Sequence, residues 1–379
     1  MKGKICRRCI IDETVSGAVF DKDNICNFCK TYDALDKSFP INDSYIKIIN
    51  KIKKNGTKNK YDCVVGISGG RDSTFTLYLL KKLGLRPLAV FFNDGFSNPV
   101  AGKNIQNAIK KTNIELRTIT SDWRESKDIK IATLKASVPD LEVGTDIGIG
   151  AALYSVAAKE NIKYIIIGMS FRTEGVAPLE WNYLDGKYLK SIHKKYGKVK
   201  LRKWRPDDAG FNLGIKEIFY YALIKRIQVI PLLYYIDYVR VDAEEIIKKE
   251  FGWINTGAHY FDDLYQSLMS YILRKKFNID FRKFNYSALV RSKQMTRKEA
   301  LNCTMNISII EDPKVIDLCI KRLGISKEEL NYYLKEKPKT FRDYKTNYNL
   351  IKFLKYPIKL LSKMNILHPS TYYKFFCSE

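Results

Sequence analysis

The sequence predicts an α/β protein: a doubly wound parallel sheet with an N-terminal four-cysteine module and a mostly helical C-terminal region. Three observations carry this. Strand segments at Tyr61 to Ile67, Pro87 to Phe92, Ile114 to Ile119 and Lys163 to Gly168 alternate with helical patterns at the spacing of βαβ units. The first run passes directly into Ser68-Gly69-Gly70-Arg71-Asp72-Ser73 and a helical stretch ending at Gly84, which is strand, glycine turn, helix. Two C-x2-C pairs precede it. The division expected is 1–40 for a zinc-ribbon module, 41–240 for the sheet domain and 241–379 for helices that meet substrate or partner.

The bulk properties bound the rest. A chain of 379 residues with 45% apolar and 28% charged residues is globular. Its longest apolar run, Val229 to Ile236, contains Pro231 and is too short to span a bilayer. Met1-Lys2-Gly3-Lys4 leads into cysteines and not into an apolar signal. The expectation is a cytoplasmic protein with reduced, metal-binding cysteines and no transmembrane segment. The net charge of +25 suits a polyanion such as tRNA, but the lysines are spread throughout, so compositional bias is favoured and no nucleic-acid partner is expected. The segment 352–374 mixes Lys with Leu, Ile, Tyr and Phe. It lies on a membrane surface or, the favoured reading, packs as a basic amphipathic tail on the body.

In chain order, Cys6, Cys9, Cys26 and Cys29 form two knuckles with sixteen residues between. Four thiolates complete a tetrahedral shell with no position left for water, so the site is structural Zn²⁺, with an iron–sulfur cluster as the competing reading. Asn42-Asp43-Ser44 caps a helix through Ile52. The loop 68–73 then reads as a phosphate cradle. Gly69 and Gly70 admit an anion close to the backbone, the first N–H groups of the helix point at it, and the hydroxyls of Ser68 and Ser73 add donors. The second strand ends at Asn93-Asp94-Gly95, and ligands bind at the carboxyl ends of such strands. Asp94 holds Mg²⁺ or a ribose there, or is only an Asp-Gly turn. Pro99 starts a helix to Lys111, and Trp123 to Ser137 is helical with Pro139 as a stop. Gly144 to Lys159 is a small-residue helix that packs close to the sheet, with Asp146 in its first turn. The fourth strand ends at Gly168 and leads to Arg172 and Glu174. Both are expected beside the triphosphate, Arg172 for phosphate oxygens and Glu174 for metal, the alternative being an exposed ion pair.

Beyond Trp181 aromatic residues dominate, with helices at Ile215 to Ile227, Ala243 to Phe251, Tyr265 to Phe277 and Ser292 to Leu301, then basic helices to the end. His259 stands alone in the loop 252–260, where a lone histidine is ordinarily structural.

The S-G-G-x-D-S spacing fits neither a Walker A loop nor G-x-G-x-x-G. It resembles the loop of the PP-loop ATP pyrophosphatases. Over most of the chain up to about Leu301, the sequence is similar to the N-acetyl sugar amidotransferases of bacterial surface-polysaccharide biosynthesis. The knuckles and the loop carry this, with Thr173-Glu174-Gly175 ahead of Trp181, Gly252-Trp253 ahead of His259, Tyr271, Lys276-Phe277, Asp280, Arg282, and Ser292, Gln294 to Arg297. The resemblance implies ATP gripped at residues 68–73 with Asp94, Gly168 and Arg172 nearby, and Mg²⁺ as cofactor. It makes Asp72, Glu174 and His259 the catalytic candidates. An acetamido group of an N-acetylated sugar becomes acetamidino through an adenylylated imidate, with ammonia from a separate glutaminase subunit. The residues agree on that last point, because no cysteine sits on a nucleophile elbow: Cys63 is in a strand, Cys6 is in a knuckle, and Cys303, Cys319 and Cys377 lack a glycine turn. The chain departs from the family at Phe261-Asp262, where a Glu-Ser follows the histidine, and at Phe281 and Asn285, where a Lys and a His occur. The alternative is a tRNA thiolase, which needs further cysteines in the catalytic domain.

Overall fold

In a computed structural model, which describes residues 3–256, 263–305 and 311–376, the strands are β1 (Cys63–Gly66), β2 (Pro87–Asn93), β3 (Leu116–Thr120), β4 (Tyr164–Ile167) and β5 (Gln228–Pro231). All pair in parallel, in the order β3-β2-β1-β4-β5. The order reverses between β1 and β4, the switch point at which such sheets bind ligands outside their carboxyl ends. Sequence periodicity missed β5, because its short apolar run continues without polar alternation into a 3-10 turn at Leu232–Tyr234.

Alternation along the strands sorts side chains into two cores. Val64, Leu88, Val90 and Ile165 face one side. There they meet α5 (Trp123–Ala136), α6 (Val143–Lys159) and α7 (Gly186–Tyr196). Cys63, Val65, Ala89 and Ile166 face the other. There lie α2 (Ser44–Gly56), α3 (Arg71–Lys82), α4 (Pro99–Thr112) and α9 (Arg240–Phe251). The glycines of α6 set how near it comes: a Cβ on Gly148 would lie 2.4 Å from the Phe92 ring. The expected helix at Ile215 to Ile227 stops early, as α8 (Ile215–Phe219) followed by a π turn, Tyr220–Ile224.

The knuckles and α1 (Asn27–Ser38) share a third core with C-terminal helices. These are α10 (Tyr265–Phe277), α11 (Arg282–Arg291), α13 (Pro313–Leu323) and α14 (Lys327–Lys335). The helix expected at Ser292 to Leu301 begins later, as α12 (Arg297–Met305); Thr296 and Glu299 bond reciprocally at its start. The chain closes with α15 (Tyr348–Phe353), α16 (Lys355–Lys363) and α17 (Pro369–Phe376), whose Ile351, Ile358 and Phe375 pack into the first sheet core. Among the described residues no helix is long and apolar enough to cross a membrane.

Candidate active site

Residues 68–73 form the turn between β1 and α3, at the carboxyl rim of the sheet. Gly69 takes φ +83°, which a side chain resists, and a Cβ there would lie 2.1 Å from the Ala101 carbonyl oxygen. The turn is braced from within. The Ser73 hydroxyl accepts from the Ser68 amide (3.1 Å) and meets the Ser68 hydroxyl (3.0 Å). From outside, the Gly69 carbonyl accepts from Asn104 Nδ2 and from Trp253 Nε1, each at 3.0 Å. Asn104, buried on α4, also pairs with the backbone of Ile254 in both directions. The segment just after α9 is therefore fastened onto the loop. Sequence reading singled out Trp253 but not Asn104, whose only signal is an amide on an otherwise apolar helix face.

Asp72 is buried at the first turn of α3. Its Oδ1 accepts from Arg71 Nε (2.6 Å) and from the Tyr238 hydroxyl. Burial opposes its charge, but the Arg71 guanidinium and the Tyr238 hydroxyl outweigh it and hold the carboxyl below its usual range; Glu174 lies beside it. Its Oδ2 is buried and, among the described residues, meets no hydrogen-bond donor. A donorless carboxylate oxygen beside a second carboxylate suits a hard cation such as Mg²⁺. Arg71 also reaches Glu244 (3.3 Å), so its guanidinium is engaged with Asp72, Tyr238 and Glu244. Tyr238, which sequence reading did not single out, has its hydroxyl pKa raised by burial and by Asp72. Gly168 closes against this turn: a Cβ there would lie 2.8 Å from both the Asp72 carbonyl oxygen and Ser73 Cα.

Two expected contacts are replaced. Arg172 is buried, and all three of its nitrogens are used: Nε and Nη2 on Asp36, Nη2 also on the Phe39 carbonyl, and Nη1 on the Tyr234 carbonyl. It joins α1 to the sheet and does not face the loop as a phosphate ligand. Asp94 is also committed. Lys130 Nζ lies 2.8 Å from its Oδ2, Thr145 donates at 2.8 Å and the Phe96 amide at 3.1 Å. Burial opposes its charge, yet Lys130 holds it at about 2. Around this pair sit Glu142, whose carboxyl burial pushes up to about 7, and Asp263, raised by burial and by Asp94. The buried Lys130 lies 4.0 Å from the Tyr265 ring centroid. Asp94 thus sits inside a buried charge network. His259 lies outside the described residues, in the stretch that follows the Trp253 clamp.

The four cysteines converge. Sγ separations are 3.9 Å for Cys6–Cys29 and 3.6 Å for both Cys9–Cys26 and Cys26–Cys29. Four thiolates about 2.3 Å from one ion in a tetrahedron lie about 3.8 Å apart, so the spacing fits one tetrahedral metal. A four-iron cluster places iron atoms between its thiolates and spreads them further. The knuckles are closed by single antiparallel bridges, Ile5 with Asp12 and Phe20 with Cys26. Arg291 of α11 is buried against the sulfurs, with Nε 3.4 Å from Cys29 and Nη2 3.5 Å from Cys9. Arg297 donates to the Cys6 and Cys9 carbonyls. Between them, Ser292 donates to the Arg172 carbonyl, and Gln294 brackets α9 by bonding the Arg240 amide and the Tyr238 carbonyl. One short stretch of the C-terminal half thus spans from the cysteines to the tyrosine that holds Asp72.

Part of that half matches a known family. Residues 251–356 match the family model described as LPS biosynthesis protein WbpG-like, C-terminal domain. This stretch is similar to a WbpG-like C-terminal domain. It begins two residues before Trp253 and includes Arg291, Gln294 and Arg297. Among curated proteins, the uncharacterized protein MJ1599 of Methanocaldococcus jannaschii is 34% identical over 80 residues, which spans 21% of this chain and 28% of that protein. Among solved structures, the U34-tRNA thiolase NcsA of Methanococcus maripaludis, with its [4Fe-4S] cluster, matches at 16% identity and TM-score 0.32, over 86% of this chain and 100% of the other. The NH3-dependent NAD synthetase of Campylobacter jejuni matches at 15% and 0.29, over 82% and 98%.

Proposed function

We propose that this chain is an ATP-dependent sugar amidotransferase of surface-polysaccharide biosynthesis. It converts the acetamido group of an N-acetylated sugar, carried on a nucleotide, to acetamidino. The observation that carries the reading is the glycine turn at the rim of β1, with the donorless Asp72 oxygen beside Glu174 and a WbpG-like domain clamped onto the turn. The chain divides into a cysteine module (1–40), a nucleotide domain (41–240) and a helical region for substrate and partner (241–379).

An amide oxygen is a poor leaving group, and ATP supplies the remedy. The carbonyl oxygen bonds to the α-phosphorus as pyrophosphate departs. Ammonia then adds to the imidate carbon, the C–O bond breaks, and AMP leaves with the former carbonyl oxygen. Ser68, Gly69, Gly70 and Ser73 cradle the pyrophosphate through backbone N–H and hydroxyl groups. Asp72 and Glu174 would hold Mg²⁺, which neutralises phosphate charge. Arg71 and Tyr238 fix the Asp72 carboxylate, and Gly168 allows the turn its approach. His259, six residues beyond Trp253, is the candidate for proton transfer. Zn²⁺ in the four-thiolate site has a structural role.

Ammonia comes from a separate glutaminase subunit. The purified chain should turn over with ammonium and not with glutamine; glutamine use by this chain alone would overturn the partner. For the thiolase alternative, sulfur transfer requires an ionisable thiol. Among the described residues, burial raises the thiols of Cys63 and Cys319, the latter to about 12.

A further inference from the structure

The last helices carry two apolar faces. Ile351 and Ile358 turn inward to the sheet core. On the outside, Phe353 is 84% exposed, Tyr356 80%, Leu360 59% and Met364 50%. These positions, three or four apart, make one stripe. A lysine ridge borders it: Lys352 and Lys355 stand over the Phe376 ring and Lys359 over Tyr372. From 344 to 378 the sequence holds six lysines and no Asp or Glu.

The stripe continues across a backbone contact. Gln228 donates to the Met364 carbonyl and Val229 to that of Asn365. Just before Gln228 the chain exposes Leu223, Ile224 and Arg226, with Lys225 half-buried between them. Lys225 and Arg226 crowd Lys163, whose pKa burial and these two cations lower. The basic and apolar surface is thus contiguous, at the amino ends of β4 and β5. The loop 68–73 lies at the opposite rim.

We propose that this face docks on an anionic lipid bilayer. Bulky apolar and aromatic side chains flanked by lysines, free of acidic groups, have the composition of helices that lie in the headgroup plane. Protein interfaces are instead depleted in lysine, and two copies of this face repel each other. Nucleic acid would leave the exposed Phe353 and Leu360 in water. Docked this way, the nucleotide loop faces away from the membrane.

The test is co-sedimentation of the full chain with phosphatidylcholine vesicles, with and without phosphatidylglycerol. Binding is expected only with phosphatidylglycerol, and it weakens with salt. The pair Phe353→Ser and Leu360→Ser should reduce it at least about tenfold. Each of Lys355→Gln and Lys359→Gln should reduce it about fivefold. All four side chains point outward, so thermal melts should match the parent and exclude unfolding as the cause. Absence of binding, equal binding to neutral vesicles, indifference to these substitutions, or a dimer dissolved by Phe353→Ser would overturn the proposal. The readout does not involve catalysis, so it stands or falls separately from the proposed reaction.

Discussion

Gly168 is where a single methyl group tests the architecture of the loop. Its φ lies outside the left-handed region, so alanine meets no backbone strain there, only a lack of space. The added Cβ would lie 2.8 Å from the Asp72 carbonyl oxygen and Ser73 Cα, and 2.9 Å from the Ser73 amide nitrogen. Restoring ordinary contact moves the start of α3 by about 0.6 Å, because all three neighbours are backbone. That shift loosens the Ser73 hydroxyl from Ser68 and tilts Asp72 away from Glu174. Misplacement by about 1 Å costs about a hundredfold in rate, so Gly168→Ala should lose on the order of tenfold in kcat and a similar factor in ATP affinity. Overpacking costs about 1–3 kcal/mol of stability, leaving the protein folded with a melt lowered by a few degrees. Calorimetric titration with MgATP and a turnover assay with ammonium measure both effects. Gly102→Ala is the control, because its Cβ would meet nothing within 4 Å. Unchanged ATP affinity and turnover in Gly168→Ala would refute the claim that strand β4 shapes the phosphate loop.

Trp253→Phe removes one hydrogen bond to the Gly69 carbonyl, worth about 1 kcal/mol, and should weaken MgATP binding about fivefold by titration. Arg291→Met removes the buried cation beside Cys9 and Cys29; metal affinity in a chelator competition should fall about 10–100-fold, and Arg291→Lys should restore it only in part, because an ammonium lacks the fixed planar fork that aims Nε and Nη2 at the two sulfurs. Glu142 has a folded-state pKa of about 7, above its unfolded value, so its contribution to stability is complete below about pH 4 and is lost as pH rises through 7. Urea unfolding should therefore show the parent losing on the order of 3 kcal/mol relative to Glu142→Gln between about pH 4 and pH 8, with equal slopes sinking the assignment.

Local chemistry made much of the fold legible. The helix entered at Pro99 starts at that residue, with Asn98 accepting from the Val100 amide. The glycines of α6 anticipated its close packing, and β1, β2 and β4 stood out as apolar runs. What escaped notice depends on contacts remote in sequence. Strand β5 is short and buried beyond Gln228, so it carries no alternation. Asp94 and Arg172 sit where sheet topology puts ligand-binding side chains, yet partners from α5 and α1 had already claimed them. No local pattern announces Lys130 or Asp36 as those partners. Tyr238 and Asn104 are likewise invisible until α9 and α4 are folded against the loop. The stretch 292–297 was read as the start of a helix and quoted for its resemblance; its role as a brace between the cysteines and Tyr238 needed coordinates.

The most direct measurement follows the acetamido oxygen. A nucleotide-linked N-acetylated sugar with heavy oxygen in its acetamido carbonyl, incubated with the chain, ATP, Mg²⁺ and ammonium, should yield AMP carrying that isotope, one heavy atom for each acetamidino group formed. Product formed with unlabelled AMP, or with the label in released orthophosphate alongside ADP, would contradict attack at the α-phosphorus and with it the role assigned to residues 68–73.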